Sequence, residues 1–183
     1  SKIISEYVST PLCWGIHTSS KNTLNEHSQI YSKQYAISRN GSGSHLMAII
    51  DANSQGSEIG VNQFQIINNL TGALESLDDL KTDVFYWEKF TTKPYVDSGK
   101  LKKIGEFPTP WPSFMIAATD DILNKESIAI KDILDVIHTN CDQFMVNPNE
   151  VIPKVAERYK LKLNDAENWF HRTEWATNGW VSN

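Results

Sequence analysis

The sequence predicts an α/β fold with a mostly parallel sheet, crossover helices and a C-terminal helical segment, and three observations carry that expectation. Short runs of β-branched and aromatic residues alternate with helix-like stretches up to about residue 110, the rhythm of strands joined by crossovers. From residue 130 onward, apolar residues recur at three-and-four spacing, as on helices that share one buried face. With 40% hydrophobic and 21% charged residues in a chain of 183, there is enough apolar material for an ordinary globular core.

The elements follow in order. Ile3–Val8 and Trp14–Thr18 read as two strands, separated at Thr10-Pro11 because Pro11 has no N–H for a ladder. Tyr35–Ser38 is a short strand. It runs into the turn Asn40-Gly41-Ser42-Gly43-Ser44-His45, and a buried helix starts at Ser44. Phe64–Asn68 is the next strand, and Thr71–Leu80 is a helix with Thr71 as its cap. Val84–Trp87, Phe90–Val96 and Leu101–Phe107 continue as strand, helix and strand.

Pro108, Pro110 and Pro112 then interrupt the pattern, and Phe114–Ala118 resumes it. Ile130, Ile133, Leu134, Ile137, Cys141, Phe144 and Met145 mark one helix face, which Asn147-Pro148 ends. Val151–Tyr159 is a second helix with Pro153 in its first turn. A third, Asp165–Trp175, opens on Asn164 with Glu167 as a capping box. The α/β block thus covers residues 12–110, with proline-bearing boundaries on both sides.

Charge and composition exclude several function classes. A net charge of -5 with no lysine–arginine stripe argues against nucleic acid; Lys100, Lys102 and Lys103 read as a solvated strand edge. No apolar run approaches a membrane span of about 20 residues, so no membrane insertion is expected, and the opening SKIISEYVST has no secretory-signal pattern. Cys13 and Cys141, in no metal or redox spacing, read as buried free thiols, with a disulfide as the alternative. The five histidines form no HxH or HExxH pattern. No metal, cofactor or catalytic set is implied.

Binding chemistry is better supported. In an open parallel sheet, ligands sit beyond the carboxyl ends of the strands. That rule selects Gly41–His45, Thr71, and Glu88 with Thr91. Glycines leave room for a ligand, and the helix start behind them favours an anion. Ser42 and Ser44 would add hydroxyl donors. The same residues also suit a plain strand-to-helix turn capped by Ser44. Trp14, Trp87 and Trp111 stand beside strand ends or boundaries, as pocket walls or as core; Trp169, Trp175 and Trp180 read as core cover.

ISRNGSGSHLMA, followed by DVFYWEKFTTKPYVDSGKLKKIGEFPTPWPSFMIAA, resembles the type 2 periplasmic-binding-protein superfamily. The branch is that of substrate-binding components for nitrate, sulfonates, taurine and thiamine-pyrimidine precursors. WEKFTTKP at Trp87–Pro94 and the Pro108–Pro112 run are its more specific pieces. The resemblance implies two α/β lobes joined by two crossing segments, with ligand clamped between them.

On that basis residues 12–110 are a periplasmic-binding-protein-like lobe. Residues 1–11 and 111–183 are hinge segments and C-terminal helices of a second, incomplete lobe, the N-terminal part of that lobe being missing from this chain. The implied ligand site comprises Gly41, Ser42, Gly43, Ser44, His45, Thr71, Trp87, Glu88, Thr91, Trp14 and Trp111. The implied partners are a small polar or anionic molecule and a membrane transporter. Periplasmic and eukaryotic intracellular locations both fit. Two other functions share the fold: a thiamine-pyrimidine-synthesis enzyme, whose cysteine cluster this chain lacks, and the effector domain of a transcriptional regulator.

Overall fold

The computed structural model describes residues 1–176; Trp180 lies outside them. The chain divides into two compact units, one formed by Ser1–Leu12 with the segment from Pro110 onward, the other by Cys13–Thr109.

The five strands are β1 (Lys2–Ser19), β2 (Tyr35–Ile37), β3 (Phe64–Ile66), β4 (Val84–Glu88) and β5 (Leu101–Ala118). They form one mixed sheet in the order β3-β2-β4-β1-β5. β2 runs parallel to β3 and β4, whereas β1 runs antiparallel to β4.

In the Cys13–Thr109 unit both faces of the sheet are covered. Successive strand residues point to opposite sides, so Tyr35, Val84 and Tyr86 join one buried cluster while Ala36 and Phe85 join another. α1 (Gly43–Ser54) closes the first face with Met47 and Ala48. α2 (Leu70–Asp78) closes the second with Ala73 and Leu77. α3 (Lys89–Asp97) covers that same face through Tyr95 and Val96.

The other unit carries α4 (Asp120–Lys125), α5 (Ser127–Val146), α6 (Pro148–Tyr159) and α7 (Leu163–Arg172). Ile152, Val155, Ala166 and Phe170 form one cluster, with Trp169 against it; Ile4, Ile130 and Leu134 form another. Trp175 packs on Tyr7 and Phe144, at 5.0 and 5.9 Å between ring centroids. Buried Ser5 Oγ meets His138 Nε2 at 3.3 Å.

Several local expectations need correction. Neither Pro11 nor the three later prolines break a strand: β1 and β5 are each continuous over 18 residues. α2 is capped by Asn69, which accepts from the N–H of Gly72 at 3.0 Å, and Thr71 lies inside the helix. Ile133 is exposed, and His138 stands in the buried stripe of α5 instead. α6 begins at Pro148, which leaves Pro153 interior. α7 begins at Leu163 and ends at Arg172, so Asn164 and Glu167 frame no capping box. The Cys141 thiol is buried as expected, whereas that of Cys13 is only half-buried.

Candidate functional site

Because β2 is parallel to both β3 and β4, the carboxyl ends of these strands open on one edge of the sheet. Each feeds a helix, and the three N-caps are Ser42, Asn69 and Glu88. β1 reaches the same edge from the opposite direction, which sets Trp14 across from Glu88.

The glycine–serine turn after β2 is braced from within. Gly41 has φ +72° and donates its N–H to His45 Nδ1 at 3.0 Å. Nδ1 is therefore the unprotonated ring nitrogen, and Nε2 carries the proton. Ser42, not Ser44, is the N-cap, accepting from the N–H of His45 at 3.4 Å. Its hydroxyl also bonds Ser44 Oγ at 3.0 Å, and Ser44 Oγ accepts from the N–H of Ser38 at 3.1 Å. Both serines are buried, so their first duty is to hold the turn.

Gly43 opens the helix beneath Trp14. A Cβ there would stand 2.6 Å from the indole ring, so only glycine lets the two approach. Trp14 Nε1 is buried without a hydrogen-bond partner. The ring of His45 meets Phe64 edge-on, with centroids 4.5 Å apart.

Glu88 is committed to its own helix. Its carboxylate accepts from the N–H groups of Phe90 and Thr91, at 3.0 and 2.7 Å, and from Thr91 Oγ1 at 2.8 Å. The N-terminus of α3, which would favour an outside anion, thus already carries one. Thr71 and Thr91 are exposed on the edge. Trp87 stacks on Phe85 at 5.2 Å, in the cluster under α2 and α3. Trp111, 40% exposed, belongs to the other unit. The edge of this unit therefore gathers Trp14, Gly41–His45, Thr71, Glu88 and Thr91.

Two neighbouring groups were missed from the sequence. Asp51, fully buried, fastens α1: its Oδ2 accepts from the Tyr86 hydroxyl and from His27 Nε2, the latter at 2.5 Å. Burial first, then the Asp51 contact, raises the Tyr86 phenol well above its ordinary range. Asp51 lies three and four residues after Ala48 and Met47, so a carboxylate on the buried stripe of α1 was the signal to follow. On the far side of β1, Glu106 accepts from Lys89 Nζ at 3.0 Å and Cys13 Sγ at 3.2 Å, and pairs with Lys103. Burial opposes its charge, but these three donors outweigh it and hold the carboxyl at about 2. Among the described residues no group of three metal-ligating side chains occurs, and no helix is long and apolar enough to cross a membrane.

Helices rising from the carboxyl edge of a sheet covered on both faces define an α/β lobe of the periplasmic-binding-protein class. A model of the Ca3427-like PBP family matches residues 14–107, and the chain belongs to that family. The structure of the Candida albicans CA3427 gene product, which exhibits the generic periplasmic binding protein fold, superposes with a TM-score of 0.88 at 29% identity, over 97% of this chain and 58% of that one. The alkanesulfonate-binding protein SsuA from Xanthomonas axonopodis pv. citri, bound to MOPS, gives 0.74 at 10% identity, over 95% and 61%. The aliphatic sulphonate-binding protein SsuA from Escherichia coli gives 0.64 at 14%, over 94% and 58%. The chain spans about three-fifths of the length of these structures. No curated protein matches it.

Proposed function

We propose that this protein is a non-enzymatic solute-binding protein for a small polar or anionic molecule of the sulfonate, nitrate or pyrimidine kind, serving transport or sensing with a membrane transporter as a further partner. The observation that carries this reading is the seat of Trp14 on Gly43 at the start of α1, with the indole N–H buried and unpartnered. A flat aromatic wall beside the free N–H groups of a helix start suits a compact anion. Family membership and the binding of MOPS by a protein of the same fold point the same way.

Magnitudes limit what this chain can do alone. One exposed helix N-terminus contributes about 0.3–1 kcal/mol to an anion, and a hydrogen bond to a charged group about 1.5–3 kcal/mol. Micromolar affinity requires about 8 kcal/mol, and millimolar about 4. With α2 and α3 capped by Asn69 and Glu88, the lobe is expected to hold MOPS, taurine or nitrate only near the millimolar range. Titration followed by tryptophan fluorescence tests this, with Trp14→Phe and Gly43→Ala each abolishing the response. Micromolar affinity for the 183-residue chain would overturn the weak-binding expectation. Absence of any response that depends on Trp14 would overturn the site.

A further inference from the structure

The turn that opens α1 also holds a reactive pair. Asn40 and Gly41 are both exposed. Apart from its two chain neighbours, nothing lies within 4 Å of where a Gly41 side chain would begin, so no other part of the fold crowds that face of the residue. That nitrogen's own N–H points at His45 Nδ1, 3.0 Å away. Nδ1 is a basic nitrogen within the reach required of a general base.

We propose that Asn40-Gly41 is a self-modification site at which Asn40 loses ammonia, with His45 as the general base. Nδ1 takes the proton from the Gly41 nitrogen as that nitrogen attacks Cγ of Asn40, forming an N–Cγ bond. The imidazolium then returns the proton to the carboxamide nitrogen, the C–N bond of the carboxamide breaks, and ammonia leaves. A five-membered succinimide remains. Water adds to one of its two carbonyls and opens the ring. Cleavage of N–Cγ leaves aspartate at position 40; cleavage of the original peptide bond leaves isoaspartate. One water is consumed and one ammonia released, with no oxidant or reductant.

The product carries a new carboxylate two residues before the N-cap of α1. On the solute-binding reading above, this negative charge at the mouth of the site would repel an anionic ligand. The chemistry itself stands without that reading.

The test is peptide mapping of the 183-residue chain aged at neutral pH, which resolves asparagine, aspartate and isoaspartate at position 40 by mass and elution. The folded chain is expected to lose Asn40 faster than the same chain held unfolded in urea. H45Q is expected to slow the loss by about tenfold or more, since glutamine can accept the Gly41 N–H but cannot take its proton. Circular dichroism verifies that the variant is folded. If H45Q deamidates as fast as the parent or faster, or if folding slows the reaction, the Gly41–His45 bond merely shields the nitrogen and the proposal fails. Should the mapping succeed while sulfonates and nitrate fail to bind, the modification site stands and the ligand reading falls.

Discussion

His17 lies fully inside the protein, and both its ring nitrogens are used. Nδ1 donates to the Phe85 carbonyl at 3.3 Å, and Nε2 accepts from Thr92 Oγ1 at 2.8 Å. Gly15 makes room for the ring, since a Cβ there would stand 2.4 Å from it. Burial holds the imidazole at about 4, below the ordinary 6.5. The unfolded chain therefore binds a proton between pH 6.5 and 4 that the folded chain refuses, and stability falls as pH drops through that window. The shift corresponds to about 3 kcal/mol. His17→Gln is expected to flatten the urea-unfolding free energy over this range relative to the parent; parallel curves would refute the assignment. Glu106 acts lower down, its contribution being present above 4.5 and lost as pH falls toward about 2. Nothing in the sequence marked His17 as buried. Its neighbours in space, Thr92 and Phe85, lie some seventy residues away.

At the scale of elements, β2 and β4 were legible because each is a short buried run, whereas the two long strands were misread at their prolines. The physical reason lies in period and position. In a strand the N–H groups of alternate residues face the same side. Pro108, Pro110 and Pro112 share one phase, and β5 is the edge strand of the described sheet. Their missing N–H groups can all face away from β1, so no ladder bond is lost. Phase is therefore testable. Thr109→Pro, one residue out of step, removes a ladder donor and is expected to destabilise by about 1–3 kcal/mol, while Pro110→Ala is expected to cost less than about 1 kcal/mol. Equal losses in chemical denaturation would show that phase is irrelevant. The candidate site was half legible for a related reason. The glycine–serine turn and Glu88 are local signals, but the meeting of Trp14 with Gly43 requires β1 to return antiparallel beside β4, a pairing that no local pattern encodes.

For the whole molecule, the distribution of exposed apolar surface is uneven. Eleven of the fifteen exposed large apolar side chains among the described residues belong to the unit of Ser1–Leu12 and the segment from Pro110 onward. Ile128, Val136 and Val146 stand at 78, 61 and 77% exposure. Within that unit a groove of about 740 Å³ runs between Val136, Phe144, Val151, Val155 and Trp169, with Lys154 and Arg158 among its lining residues. Apolar surface exposed beside an apolar groove marks a contact face on a soluble protein, whereas the Cys13–Thr109 unit covers both faces of its sheet. The 183-residue chain in isolation is therefore expected to self-associate reversibly, with an average mass in sedimentation equilibrium that rises with concentration. Val136→Lys combined with Tyr159→Lys, both at exposed positions lining the groove, is expected to suppress association and leave the helical circular dichroism intact. The groove should also take up an apolar reporter dye in the parent and lose it in the double variant. A chain that stays monomeric and binds no dye would show that this surface is not the adhesive face its composition implies.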